Sequence, residues 1–239
     1  MEDPNIGSAK LSLFKGIKTP KLIYSTQSEY NGKINVYETG KTRKIQVGNI
    51  DQSLNWDAPN AGRLVWGKIV EILKQNVPGL RSLLFFGLGG GTTQHLVSQA
   101  FPGIHITSIE IDPAMVEIAK KYFDIDRIPN HDIITGDACG VVMEPRNYGI
   151  GKRSFQCAVV DIYVGDKYPD LGKAGNFVGA VKEMVAPGSL VIFNRIYTKN
   201  HQEDVNNFVK FIEGFFNDVQ TYVVAGYTNS DNILIYGRS

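Results

Sequence analysis

The stretch Leu84-Phe85-Phe86-Gly87-Leu88-Gly89-Gly90-Gly91-Thr92-Thr93 decides how this chain is read. A short apolar run, Ser82–Phe86, stops at glycines, and a helical pattern spanning about Thr92–Ala100 follows them. A strand that is apolar at successive positions is buried on both faces, as in a parallel sheet. Glycine allows a tight turn and lets a ligand approach the backbone closely. The start of the next helix offers unpaired N–H groups. Alone, this pattern is equally a tight strand–helix connection.

Working downstream, the apolar runs Ile104–Ile109, Asp132–Ile134, Phe155–Val160 and Ser189–Phe193 read as further strands. Between them lie helical stretches at about Pro113–Phe123, Ala138–Glu144 and Gly175–Val185. Strand–helix alternation of this kind predicts a doubly wound α/β domain. Upstream of the first strand, Leu64, Val65, Ile69, Ile72 and Leu73 recur at helical spacing. A last helix at about Gln202–Phe216 precedes strands Val219–Ala225 and Asn232–Tyr236. The turn Thr228–Asp231 joins those two strands too closely for a crossover, so they must be antiparallel.

Acids stand at the ends of three of these strands. Glu110 closes Ile109-Glu110-Ile111-Asp112-Pro113, 19 residues past Gly91. An acid there can accept hydrogen bonds from both ribose hydroxyls of an adenosine group. Asp112 reads as the cap of the following helix and Pro113 as its first residue. Asp137, in Thr135-Gly136-Asp137-Ala138, can accept from the exocyclic amine of adenine. Asp161 follows Val159-Val160. In open parallel sheets ligands bind outside the carboxyl ends of the strands, which is where Gly87–Gly91, Glu110, Asp137 and Asp161 are all delivered.

Residues 1–20 read as irregular, and residues 21–54 differ from everything after them. Leu22 and Tyr24, Ile34 and Val36, and Ile45 and Val47 alternate with polar residues around the turn signal Asn31-Gly32. This predicts a small antiparallel sheet ahead of an Asn/Asp/Pro/Gly-rich joint at Asn55–Gly62.

Composition sets the frame. The 239 residues carry 25 Lys+Arg against 24 Asp+Glu and are 43% hydrophobic, which excludes disordered, collagen-like and coiled-coil classes. A net charge of +1 gives no reason to expect nucleic acid as a partner. Cys139 and Cys157 are too few for a disulfide framework or a multi-cysteine zinc site and read as small buried side chains. The histidines at 95, 105, 131 and 201 lack metal-ligand spacing, so no metal is expected. MEDPNIGSAK lacks the pattern of a signal peptide, and no apolar run approaches the roughly 18 residues that span a bilayer. A cytoplasmic protein with no membrane partner is the expectation.

The stretch Leu83–Phe123, with Gly136-Asp137-Ala138 and Val160-Asp161, resembles a class I S-adenosylmethionine-dependent methyltransferase fold. More narrowly, the chain is similar to the spermidine synthase (polyamine aminopropyltransferase) family. Ser28-Glu29-Tyr30 through Val36-Tyr37-Glu38, then Gly48-Asn49-Ile50-Asp51-Gln52, resembles that family's N-terminal sheet and its Gly-x-x-Gln turn. The resemblance implies a Rossmann-like, mostly parallel seven-stranded sheet with an antiparallel C-terminal strand over residues 61–239, preceded by a β-hairpin region over residues 1–60. It implies that Glu110 holds the ribose and Asp137 the adenine, with Ala138 beside it. Gly87, Gly89 and Gly91 would lie against the amino-acid or aminopropyl part of the donor, and Gln52 would reach it from the N-terminal sheet. Asp161 would stand where the group is transferred, as base or amine-orienting residue. The loop Ile162–Gly172, with Tyr163, Asp166 and Asp170, would be a lid over the acceptor. Members of that family are often dimers, which makes a homodimer an expectation.

The match departs from the family in three places. The family's glycine loop carries an aspartate that helps hold the amine of decarboxylated S-adenosylmethionine; the matching residue here is Gly90. The helix before the first strand reads Arg63-Leu64-Val65-Trp66-Gly67-Lys68, without the family's Tyr-His-Glu-like run. After strand four the family's Asp-x-x-Asp becomes Asp161 with Val164 three residues on. A polycation needs several carboxylates, and Arg63 adds positive charge near the expected site. The reading is therefore a transferase using S-adenosylmethionine, moving a methyl group to an unidentified acceptor such as an amine. The alternatives are a polyamine aminopropyltransferase using decarboxylated S-adenosylmethionine, and a non-catalytic nucleoside-binding protein. A nicotinamide-dependent dehydrogenase is weaker, because Gly136-Asp137-Ala138 and the antiparallel last pair count against it. Arg195, after strand five, reads either as a contact to an anionic acceptor or as solvent-facing.

Overall fold

A computed structural model describes residues 19–48, 50–164, 168–169, 174–197, 202–226 and 231–239. The expected lid residues Asp166 and Asp170 lie outside the described residues. So do positions 228–230 of the expected C-terminal turn.

Two sheets organise the chain. Strands β1 (Lys21–Ser28), β2 (Gly32–Thr39), β3 (Thr42–Val47) and β4 (Ile50–Leu54) form an antiparallel sheet in chain order. The alternation read from the sequence found the first three; β4 carries the polar run Ile50-Asp51-Gln52-Ser53 and hides from that test. Helix α1 (Val65–Asn76) leads into β5 (Ser82–Phe86), followed by α2 (Thr92–Ala100), β6 (His105–Glu110), α3 (Pro113–Phe123), β7 (His131–Thr135), α4 (Ala138–Met143) and β8 (Phe155–Val160). Helix α5 (Gly175–Met184), strand β9 (Val185–Tyr197), helix α6 (Gln202–Glu213) and strands β10 (Asn217–Val224) and β11 (Asp231–Arg238) complete it. Strand β9 starts where α5 ends, four residues before the expected Ser189, and runs four residues past Phe193. Helix α6 stops at Glu213, leaving Phe215 and Phe216 to pack from beyond its end.

The large sheet has the order β10-β11-β9-β8-β5-β6-β7. Pairings from β7 to β9 are parallel, and β11 runs antiparallel to both β9 and β10. Chain order reverses between β5 and β8, and a crevice at such a switch point is where doubly wound sheets bind ligands. Two hydrophobic clusters cover the two faces, one around Leu83, Phe85, Ile69 and Leu73, the other around Leu84, Phe86, Phe177 and Phe193.

The small sheet docks on the elements that end at the crevice. Ile34, Val36, Ile45 and Val47 pack on Met115, Ile118 and Phe123 of α3. Polar bonds fix the orientation. Ser28 Oγ and Asn31 Nδ2 donate to Asp112, at 2.5 and 2.6 Å. Arg43 Nη1 donates to the Tyr122 carbonyl at 2.9 Å. Asp112 therefore does more than cap α3 through Ala114 N–H; it also anchors the small sheet.

Phe123 joins this interface and also faces Gly90. Truncating a fully buried phenylalanine removes about 3–5 kcal/mol. Phe123→Ala is expected to lower the stability measured by urea unfolding by that amount and to increase hydrogen exchange in β1–β4 before the large sheet. Uniform loss of protection would show instead that the small sheet does not open separately.

Candidate functional site

The glycine bend is held on both sides by neighbouring strands. Gly87 N–H donates to the Ile109 carbonyl at 2.8 Å, and Asp161 N–H donates to the Phe86 carbonyl at 2.9 Å. Gly87 has φ +95°, and a Cβ on it would lie 2.1 Å from the Asp161 carbonyl oxygen. No other residue fits there without moving backbone.

Glu110 locks the bend from the next strand. Leu88 N–H donates to its Oε2 at 2.9 Å and Asp112 N–H to its Oε1 at 3.0 Å. The side chain is buried, and burial raises its pKa despite these donors. Gly89 N–H is a third backbone donor to a carboxylate that has about four acceptor sites in all. Asp137 caps α4 through Gly140 N–H, 3.1 Å from Oδ2, and is exposed.

Two cavities meet at the bend. The first, about 160 Å³, has Gly87, Gly89, Glu110, Asp137 and Ala138 in its wall, with Ile109 and Met115 as apolar neighbours. The second, about 320 Å³, lies between β3–β4, the start of α1, and the ends of β9 and β11; Lys44, Gln46, Trp66, Asn194 and Asn232 line it. Gln52, Asp161 and Tyr163 line both, and also line a smaller void under the bend. The structure thus brings Gln52, Gly87, Gly89, Glu110, Asp137, Ala138, Asp161 and Tyr163 to one place.

Gly91 does not share it. It is the N-cap of α2, and a Cβ there would lie 2.0 Å from Ile125 Cδ1, so its smallness serves packing behind the bend. Arg63 is also elsewhere: it is exposed on the turn Ala61–Arg63, and its helix turns Trp66 to the large cavity instead. Arg195 is neither solvent-facing nor aimed at an acceptor. It is 4% exposed, pairs with Asp204 at 2.5 Å, and lies over the rings of Tyr168 and Phe208 at 4.5 and 4.6 Å. Adjacent strand residues point to opposite faces, so Asn194, not Arg195, faces the cavity. Cys157 is buried as expected, whereas Cys139 is partly exposed.

Asp161 stands at the junction with an amide chain behind it. Asn194 Nδ2 donates to its Oδ1 at 2.8 Å, and Asn232 Nδ2 donates to Asn194 Oδ1 at 3.0 Å. Tyr163 Oη donates to the Asn194 carbonyl at 3.2 Å. Burial pushes the Asp161 carboxyl up to about 6, against the opposing pull of the Asn194 bond. Sequence reading missed Ser53, Trp66, Asn194 and Asn232; Asn194 follows a buried strand at the same edge as Asp161, which was the available signal. Among the described residues no group of three or more His, Cys, Asp or Glu is placed to hold a metal ion. No helix among them is long and apolar enough to cross a membrane.

No protein-family model matches the chain. Among curated proteins it is 25% identical over 121 residues to a polyamine aminopropyltransferase of Vibrio vulnificus (strain CMCP6), covering 51% of this chain and 40% of that protein. It is 29% identical over 119 residues to an eEF1A lysine and N-terminal methyltransferase homolog of Drosophila pseudoobscura pseudoobscura, covering 48% of this chain and 18% of that protein. A solved probable spermidine synthase of Corynebacterium glutamicum ATCC 13032 superposes with TM-score 0.72 at 18% identity, over 92% of this chain and 81% of that one. The chain is a spermidine-synthase-like protein of the class I S-adenosylmethionine-dependent methyltransferase fold. This spermidine-synthase-like chain spans less than half the length of the curated relatives it matches.

The Asp161 environment has a thermodynamic consequence. Its folded carboxyl keeps a proton to about pH 6, whereas an unfolded aspartate releases it near 3.8. Between those values the folded state binds more protons, so stability falls as pH rises. Asp161→Asn is expected to be more stable than the parent above pH 6, by up to about 3 kcal/mol, with the difference vanishing below pH 4. Asn194→Leu should move the Asp161 midpoint further up in a carbon-detected NMR titration, because a donor to the charged form is lost. A midpoint near 4 in the parent would contradict this environment.

Proposed function

We propose that the protein transfers a methyl group from S-adenosylmethionine to an amine. The single observation carrying the choice of donor is the surroundings of Gly90. A Cβ at Gly90 would lie 3.0 Å from Ser53 Cβ and 3.0 Å from the Phe123 ring, and Gly90 N–H already donates to Ser53 Oγ at 2.7 Å. The place where the resembled family carries an acid for the amine of a decarboxylated donor is filled by neutral side chains. A donor that keeps its carboxylate meets no like charge there. The Drosophila relative, an eEF1A lysine and N-terminal methyltransferase homolog, favours the same reaction and an amine acceptor.

When bound, the donor supplies an electrophilic methyl carbon on a sulfonium, and transfer forms an N–C bond, breaks the C–S bond and leaves a neutral thioether. The chain's residues supply binding, alignment and a proton acceptor. Glu110 and Asp137 hold the two polar ends of the nucleoside, with Ala138 beside the adenine and Gly87 and Gly89 leaving room along the bend. Gln52 and Tyr163 close the junction between the cavities. Asp161 accepts the proton released by the amine nitrogen. Its raised pKa suits that task, since a base with pKa near 6 is ionised at neutral pH. Burial of the amine lowers its own pKa toward that of Asp161.

Aminopropyl transfer from decarboxylated S-adenosylmethionine is the second reading, favoured by the 91% coverage of this chain by a spermidine synthase solved with AdoDATO. Calorimetry with the two donors separates them. Tighter binding of intact S-adenosylmethionine, by at least tenfold, is expected; the reverse order would replace the first reading with the second. Glu110→Ala should weaken every adenosine ligand by about 10–100-fold, the loss expected for hydrogen bonds to a charged group, while Asp161→Asn should chiefly lower turnover. Unaltered donor affinity in Glu110→Ala would remove the ribose assignment.

A further inference from the structure

The large cavity bears on which amine is accepted. Its carboxylates among the described residues are Asp51 and Asp161. Asp51 is taken: Lys44 Nζ donates to its two oxygens at 2.9 and 3.0 Å, and Gln46 Nε2 donates to Oδ1 at 3.1 Å. The remaining polar wall is neutral, built from Asn194, Asn232 and Gln52, and Trp66 and Ile196 contribute apolar surface. The cavity wall therefore holds one carboxylate without a cationic partner among the described residues, Asp161, and one carboxylate paired with a lysine, Asp51.

Resting on methyl transfer as the reaction, we infer that the acceptor is an amine carrying one positive charge on an uncharged, partly apolar tail, and that Lys44 with Asp51 discriminates against a second ammonium group. An ammonium placed at Asp161 is compensated there. A second one, carried by a diamine, would meet the Lys44 ammonium beside a partly exposed carboxylate that already accepts three donors. Like-charge repulsion from Lys44 opposes it, at the modest scale of a partly solvated ion pair. The apolar surface of Trp66 and Ile196 gains instead from a hydrocarbon tail. At about 320 Å³ the cavity lies at the small end of ligand sites, enough for a short alkyl amine or one amine-bearing side chain of a polypeptide.

The test titrates amines into the full-length protein loaded with S-adenosylhomocysteine. The probes are n-pentylamine, the diamine 1,5-diaminopentane, and a capped Gly-Lys-Gly tripeptide. Pentylamine is expected to bind about three- to fivefold more tightly than the diamine, the scale of one like-charge contact at a partly exposed pair. In Lys44→Met, where Asp51 is released, the disadvantage of the diamine should disappear. Equal or tighter binding of the diamine by the parent protein would overturn the inference, as would binding of none of the three. A diamine disadvantage unaltered in Lys44→Met would overturn the role of Lys44. Tripeptide binding tighter than pentylamine supports a polypeptide source for the amine; the opposite order supports a free small amine. Binding of S-adenosylhomocysteine in the loading step reads the methyl-transfer proposal on its own, and loading with methylthioadenosine keeps the amine comparison available if that step fails.

Discussion

The contact between Gly87 and the backbone of Asp161 governs this structure. Chain order reverses between β5 and β8, and the two strands separate there into a bend and a loop. Because Gly87 has no side chain, the carbonyl of Asp161 comes within the space a Cβ would need. That closeness sets Asp161 beside the glycine bend. The two cavities share one wall instead of being separate sites.

The two acids nearest the bend share burial but differ in their partners. Glu110 accepts from the backbone N–H groups of Leu88, Gly89 and Asp112, so its orientation is set by the bend and by the start of α3. Asp161 receives an amide N–H on one oxygen. Burial raises both pKa values, but only Asp161 has an oxygen with no protein donor among the described contacts. A carboxylate fixed by several backbone donors is suited to holding hydroxyls. One poised near neutral pH beside an open cavity is suited to exchanging a proton. The assignment of roles comes from these partners, since both residues sit at strand ends and look alike in sequence.

The parallel strands, the helices between them and the acids at their ends were legible because each leaves a local mark: continuous apolar runs, helical spacing, or a glycine-to-acid interval. Helices α2 and α3 begin and end where the spacing placed them. The residues that complete the site leave no such mark. Ser53 matters because it meets Gly90 across 37 positions of sequence. Asn232 matters because β11 inserts beside β9 and brings it to Asn194. Arg63 departs from expectation because charge near a motif in sequence says nothing about helix phase; three residues on, Trp66 takes the inward position. Arg195 departs for a related reason, since an arginine at a strand end is ordinarily solvated, and here two aromatic rings and Asp204 cover it.

Strand β4 links the two halves of the chemistry. Ser53 fills the space beside Gly90. Gln52 lines both cavities, and Asp51 closes the ion pair with Lys44 in the wall of the larger one. Three consecutive residues of one short strand therefore touch the glycine bend, the wall shared by the cavities and the larger cavity. A change of donor and a change of acceptor need not be independent events in such an arrangement. Neutralising the bend and occupying the second carboxylate both remove provision for positive charge, and both act through a strand whose alternation is too polar to announce itself. The small sheet thus supplies part of the wall of both cavities, which the large sheet alone does not enclose.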